Sequence, residues 1–263
     1  MTAAALACSV LASAIALATA SPAGAVPVVF TTSDTELVPD TDNQGWYTGR
    51  GEHALQNDNY LIGHNGADAF RNFFVFDLST LDLTGLVVAS ARLEVQRYNA
   101  STLIEGYVFE YGLFDVGTDA ATLMADHPGP LPNADGVDVY EDLGSGASYG
   151  SLAVDPLAGD ADDLLQFDLS AAALADLGAA AGGFFAIGGA ITNLQFNAGT
   201  IHAGSGGIGD GMQPPVRDPG IQRLVIEVVP EPGTLLLVGG GLALLSRRAS
   251  ASAGPRRPRR LSR

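Results

Sequence analysis

The chain has 263 residues, 13 arginines, no lysine and a formal charge of −16. Seven of the arginines follow Leu245, so residues 26–229 hold six basic against 28 acidic side chains, a formal −22. A body of that charge repels phosphate backbones and anionic membranes and attracts cations, which excludes nucleic acid as its partner.

Ala3 to Ala20 is an apolar stretch of small residues, and Ala23-Gly24-Ala25 offers the small side chains that signal peptidase requires. Residues 1–25 therefore read as a secretory signal peptide cut after Ala25, although no Lys or Arg marks its start. The single cysteine, Cys8, lies inside it. The mature body is left with no disulfide and no cysteine nucleophile, so burial and hydrogen bonds must stabilise it, with bound ions as a candidate addition.

Residues 26–229 suffice for one domain with a sizeable core. Turn residues recur at short intervals and most apolar runs are strand-length, which predicts an all-β sandwich of about 8–10 strands with one short helix. Val26 to Thr32 reads as the first strand. Asp34 to Asn65 reads as a polar loop rich in Asp, Asn and Gly, carrying the only tryptophan, Trp46. Phe73 to Leu78 is the most aromatic strand; Phe74 and Phe76 share one face, opposite Phe73 and Val75. Ala91 to Tyr98 alternates as a half-buried strand with Arg97 near the rim. Gly106 to Val116, Val137 to Tyr140, Gly150 to Val154, Leu164 to Leu169, Phe184 to Thr192 and Arg223 to Val229 complete the expected strands. Ser170 to Ala181 is the expected helix, with Ser170 as its cap and Gly182-Gly183 at its end.

Asn59-Tyr60, then Arg71-Asn72-Phe73-Phe74-Val75-Phe76-Asp77-Leu78-Ser79 and Ala89-Ser90-Ala91-Arg92-Leu93-Glu94-Val95, resemble the opening of jelly-roll modules of extracellular bacterial proteins, similar to carbohydrate-binding modules. The resemblance implies a jelly-roll β-sandwich over residues 26–229 and says less about function.

Several constellations invite chemistry. Gly146-Ala147-Ser148-Tyr149-Gly150 matches the G-x-S-x-G nucleophile elbow, with Asp155 or Asp168 and His202 in the right chain order. The elbow needs a strand before it and a helix after it, and a hairpin loop fits this stretch better. Gly204 to Gly209 matches G-x-G-x-x-G, but Asp210 to Pro215 cannot open the helix a phosphate site needs. His53, His64, His127 and His202 form no close metal spacing, and His53 and His64 read as solvated loop residues.

Asp40, Asp42 and Asn43, and likewise Asp160, Asp162 and Asp163, offer hard oxygens in irregular loops, as a structural calcium requires; a solvated acidic surface is the plainer reading. Trp46, Tyr47 and Tyr60 are the aromatic side chains that an early loop could display to a sugar ring, against the alternative that they pack on the domain edge.

The tail closes the chain. Pro230-Glu231-Pro232 is held extended because each ring fixes φ and pushes its predecessor out of the α region. Thr234 to Ser246 is a short apolar run, about 20 Å as a helix against a hydrocarbon core of roughly 30 Å. Arg247-Arg248 ends it.

This order of parts over residues 230–248 resembles the PEP-CTERM sorting signal of Gram-negative bacteria. The resemblance implies an exosortase as reader and processor, signal peptidase as an earlier partner, and transient inner-membrane contact through the short C-terminal helix. Residues 249–263, with Arg256, Arg257, Arg259, Arg260 and Arg263, read as a basic disordered tail where family members usually stop sooner.

The combined reading is a non-enzymatic exported protein of the outer envelope or exopolysaccharide matrix, requiring no cofactor beyond the candidate calcium. A carbohydrate-binding module proper and a glycan-acting hydrolase or lyase are the alternatives. The enzyme would need clustered carboxylates at a definite separation, which the scattered acids do not single out.

Overall fold

The computed structural model describes residues 25–55, 59–97, 99–159, 163–203 and 222–231. In chain order the elements are β1 (Val26–Thr31), β2 (Gln44–Thr48), β3 (Tyr60–His64), β4 (Ala69–Asp77), β5 (Leu86–Arg97), β6 (Asn99–Ser101) and β7 (Phe109–Asp115). There follow α1 (Ala120–Leu123), α2 (Ala134–Asp142), β8 (Ser148–Val154), β9 (Asp163–Asp168), α3 (Ala171–Ala180), β10 (Phe184–Ile191), β11 (Gly199–Ala203) and β12 (Gln222–Pro230). One antiparallel sheet runs β1-β12-β5-β9; the other runs β6-β11-β3-β4-β10-β7-β8, with β2 paired to β4. The two enclose a main core that includes Phe74, Phe76, Leu93, Phe109, Phe167 and Ile226. The protein is thus an all-β sandwich of jelly-roll kind.

Three expectations are corrected. The described residues hold 12 strands and three helices, not 8–10 strands and one helix. The polar stretch Asp34–Asn65 contains two strands, β2 and β3, because its polar side chains find partners inside the fold. Buried Thr32 donates its hydroxyl to the Gln44 carboxamide oxygen at 3.3 Å, so polar β2 residues face inward without losing a hydrogen bond.

The third correction is Val137–Tyr140, which lies in helix α2. Its V-D-V-Y alternation suggests a strand, but the buried positions Gly136, Val139, Tyr140 and Leu143 follow helical spacing. The Asn133 side chain caps the helix by accepting the Gly136 N–H at 3.2 Å. The approach of Gly136 to Gly51 is so close that a Cβ on Gly136 would collide with the Gly51 carbonyl.

Helix α2 covers a second core on the outer face of the larger sheet, formed by Tyr47, Phe73, Val75, Leu123, Met124, Val139, Tyr140 and Leu143. Strand β4 is therefore buried on both faces: Phe74 and Phe76 enter the main core, Phe73 and Val75 the second, all four at 0 % exposure. The helix expected at Ser170–Ala181 is α3, with the Ser170 hydroxyl accepting the Ala173 N–H at 3.4 Å.

Candidate functional site

The corner that carries Ala25, Pro230 and Glu231 is built from the end of β12, the start of β1 and the start of β5. Val26 stands opposite Val228, so the expected leader cut after Ala25 and the Pro230-Glu231 pair lie at one end of the smaller sheet. Strand β12 continues one residue past the expected domain boundary, with Val229 opposite Val87 and Pro230 opposite Leu86. Proline cannot donate to a ladder and is tolerated at such a strand end.

The Glu231 N–H then donates to the Gly85 carbonyl at 3.0 Å, while residue Glu231 as a whole is exposed. The acceptor is presented by a tight turn. Asp82 Oδ1 accepts the Thr84 N–H at 2.8 Å, the Leu86 N–H donates to Leu83 at 3.0 Å, and Gly85 has φ 68°. Two hollows, each of about 450 Å³, flank this corner: one reached by Val26, Leu81 and Pro230, the other by Leu83, Leu174 and Glu231. Ala25 is exposed. Ala23, Pro232, the apolar run, Arg247 and Arg248 lie outside the described residues.

Two of the three aromatic candidates for sugar contact, Tyr47 and Tyr60, are corrected by burial. Tyr47 and Tyr60 are both 0 % exposed. The Tyr47 hydroxyl donates to the carbonyls of Thr122 and Leu123 at 3.2 and 3.1 Å, and that of Tyr60 to Gln96 at 2.8 Å. Burial raises both phenols well above their ordinary pKa. Trp46 is half-buried, packs edge-on against Phe70 at 5.2 Å and donates its indole N–H to Asn59 at 3.0 Å.

The acidic candidates divide. Asn43 is 1 % exposed; its Oδ1 accepts the Leu37 N–H at 2.9 Å and its amide donates to the Thr35 carbonyl, so it ties the loop together from inside. Asp40 is exposed, at φ 60°. Among the described residues no group of three or more His, Cys, Asp or Glu stands close enough to hold a metal ion.

Asp160 and Asp162 lie outside the described residues, but Asp163 pairs in register with Arg97. Arg97, 8 % exposed, donates through Nη1 to the carbonyls of Asp155 (3.2 Å) and Ala158, and through Nη2 to those of Pro156 (3.4 Å) and Gly159 (3.5 Å). A guanidinium thus gathers the carbonyls of this acidic loop, the work a bound cation would otherwise do.

His53 is corrected from a solvated residue to a buried one, 2 % exposed. It stacks on Tyr47 with ring centroids 4.7 Å apart, and the ring of His127 lies 5.5 Å from the same tyrosine. The backbones of His53 and His127 form an isolated antiparallel bridge. His53 Nδ1 meets the Trp46 carbonyl at 2.9 Å and so carries the proton. Both Nε2 atoms are buried without a protein partner. Neither residue shows a sequence signal, because the bridge joins segments more than 70 positions apart.

His64 Nδ1 accepts the backbone N–H groups of Gly66 and Asn197 at 3.0 and 3.2 Å, an ordinary loop-fixing role. Ser148 opens strand β8, with helix α2 before it, the reverse of the strand-then-helix order of a nucleophile elbow. The Gly204–Gly209 stretch lies outside the described residues. No helix among the described residues is long and apolar enough to cross a membrane.

No protein-family profile and no curated protein matches the chain.

Proposed function

We propose that this is a non-enzymatic exported β-sandwich, sent outward by its leader and then sorted through Pro230-Glu231-Pro232 and Arg247-Arg248 by an exosortase to the outer envelope or an exopolysaccharide matrix. The observation that carries the reading is the order Pro-Glu-Pro, short apolar run, Arg pair, whose Glu231 is exposed just past the end of β12. The pairing of Val26 with Val228 adds support, since it sets the residues that adjoin leader and tail at one end of the domain, as suits a body held briefly at a membrane by either segment. The acidic body suits a cation-rich extracellular matrix better than an anionic surface.

The test replaces Pro230, Glu231 and Pro232 together by alanine. Export should continue while the C-terminal tail stays on, read by mass spectrometry of the exported protein's two ends. The same shortened C-terminus in the altered protein overturns the sorting reading.

A further inference from the structure

We propose that the folded sandwich gates its own tail: Pro230 and Glu231 are held on the start of β5, and processing waits for that end of β12 to peel away. The inference rests on the sorting reading above and adds a control to it. A reader that takes an extended segment into a groove needs that segment's backbone free. Here the backbone is engaged, with Val229 opposite Val87, Pro230 opposite Leu86, and the Glu231 N–H on the Gly85 carbonyl at 3.0 Å.

The clamp is local and weak by construction. Up to Val228 the strand β12 is flanked by β1 as well as β5, but beyond the Val26 rung only β5 pairs with it among the described residues. A single-sided stretch at a strand end is where local opening costs least. Its last acceptor depends on the Asp82–Leu86 turn, in which Gly85 sits at φ 68°, a conformation open to glycine at little cost. Pro230 also lines the hollow shared with Val26, Leu81 and Val228, so release opens this apolar corner as well as the Glu231–Gly85 hydrogen bond. The clamp exists only once β1, β5 and the turn are assembled, which couples tail access to the folded state.

The test uses the full chain in its producing cell, with Val87→Cys and Val229→Cys. Directly opposed residues of an antiparallel pair stand about 4.5–5.5 Å apart, within disulfide reach, and Cys8 lies in the expected leader. With the cross-link formed, the tail should stay on; reduction should restore its removal. Gly85→Val, which strains the turn, should speed removal and quicken hydrogen exchange at the Glu231 amide. This second variant keeps the question open to test if the cross-link does not form.

Removal at one rate from the cross-linked, Gly85→Val and unmutated chains overturns the gate and leaves sorting standing. A tail retained even on the unmutated chain overturns sorting, and the gate with it.

Discussion

The imidazole of His53 lies stacked on the ring of Tyr47, centroids 4.7 Å apart and planes 21° from parallel, and meets Phe73 edge-on, both members of the second core. Burial lowers its pKa from the ordinary 6.5 to about 4, outweighing the Trp46 carbonyl, which favours the charged form. Below pH 6.5 the unfolded chain takes up a proton at this position that the folded chain refuses. The stabilisation is therefore complete above 6.5 and is lost as pH falls toward 4, by on the order of 3 kcal/mol. Denaturant unfolding measured across that range should show the decline, and His53→Gln should flatten it. An unchanged slope in His53→Gln would remove the imidazole from the account.

Strand β4 makes a second prediction, because it carries core residues on both faces. Phe76→Ala opens the main core and Phe73→Ala opens the one under α2, and each should cost about 3–5 kcal/mol. Thermal melts of the two variants check this. A full melting temperature for Phe73→Ala would mean that the α2 layer contributes nothing to the cooperative unit.

Arg97 supplies the third. Its removal leaves the Asp155–Gly159 carbonyls without their shared donor, so Arg97→Ala should lose stability on the order of 1–3 kcal/mol or more. Arg97→Lys keeps the charge without the planar fork and should recover only part of it. Equal stability of Lys and Arg at this position would show that charge alone holds the loop.

Cations give the fourth. Asn43 turns its oxygen to Leu37 and Arg97 binds the second loop, so calcium and magnesium should raise the melting temperature equally at equal ionic strength, through screening of the acidic body. Thermal melts with each ion decide it. A calcium-specific rise abolished by Asp160→Asn with Asp162→Asn would instead assign an ion to the loop beside Arg97.

The sequence by itself determined the class of fold, the main-core strands other than β3 and β11, and the two ends of α3, because those depend on short-range signals: alternation in Ala91–Val95, the aromatic run Phe73–Phe76, and the Ser170 cap with its closing glycines. It also carried the tail's order of parts, which is linear chemistry. Only the tertiary structure decided what lies on the outside of β4. Whether Phe73 and Val75 meet water or α2 depends on a helix more than 55 positions away, whose V-D-V-Y segment has strand-like alternation until Gly136 meets Gly51. The same is true of Tyr47, Tyr60 and His53. Their polar neighbourhood predicts exposure, yet distant carbonyls accept from the Tyr47 and Tyr60 hydroxyls inside the fold, and the rings of Tyr47, Phe73 and His127 bury His53. Local composition reports how polar a segment is, whereas burial depends on whether the fold brings those polar groups a partner.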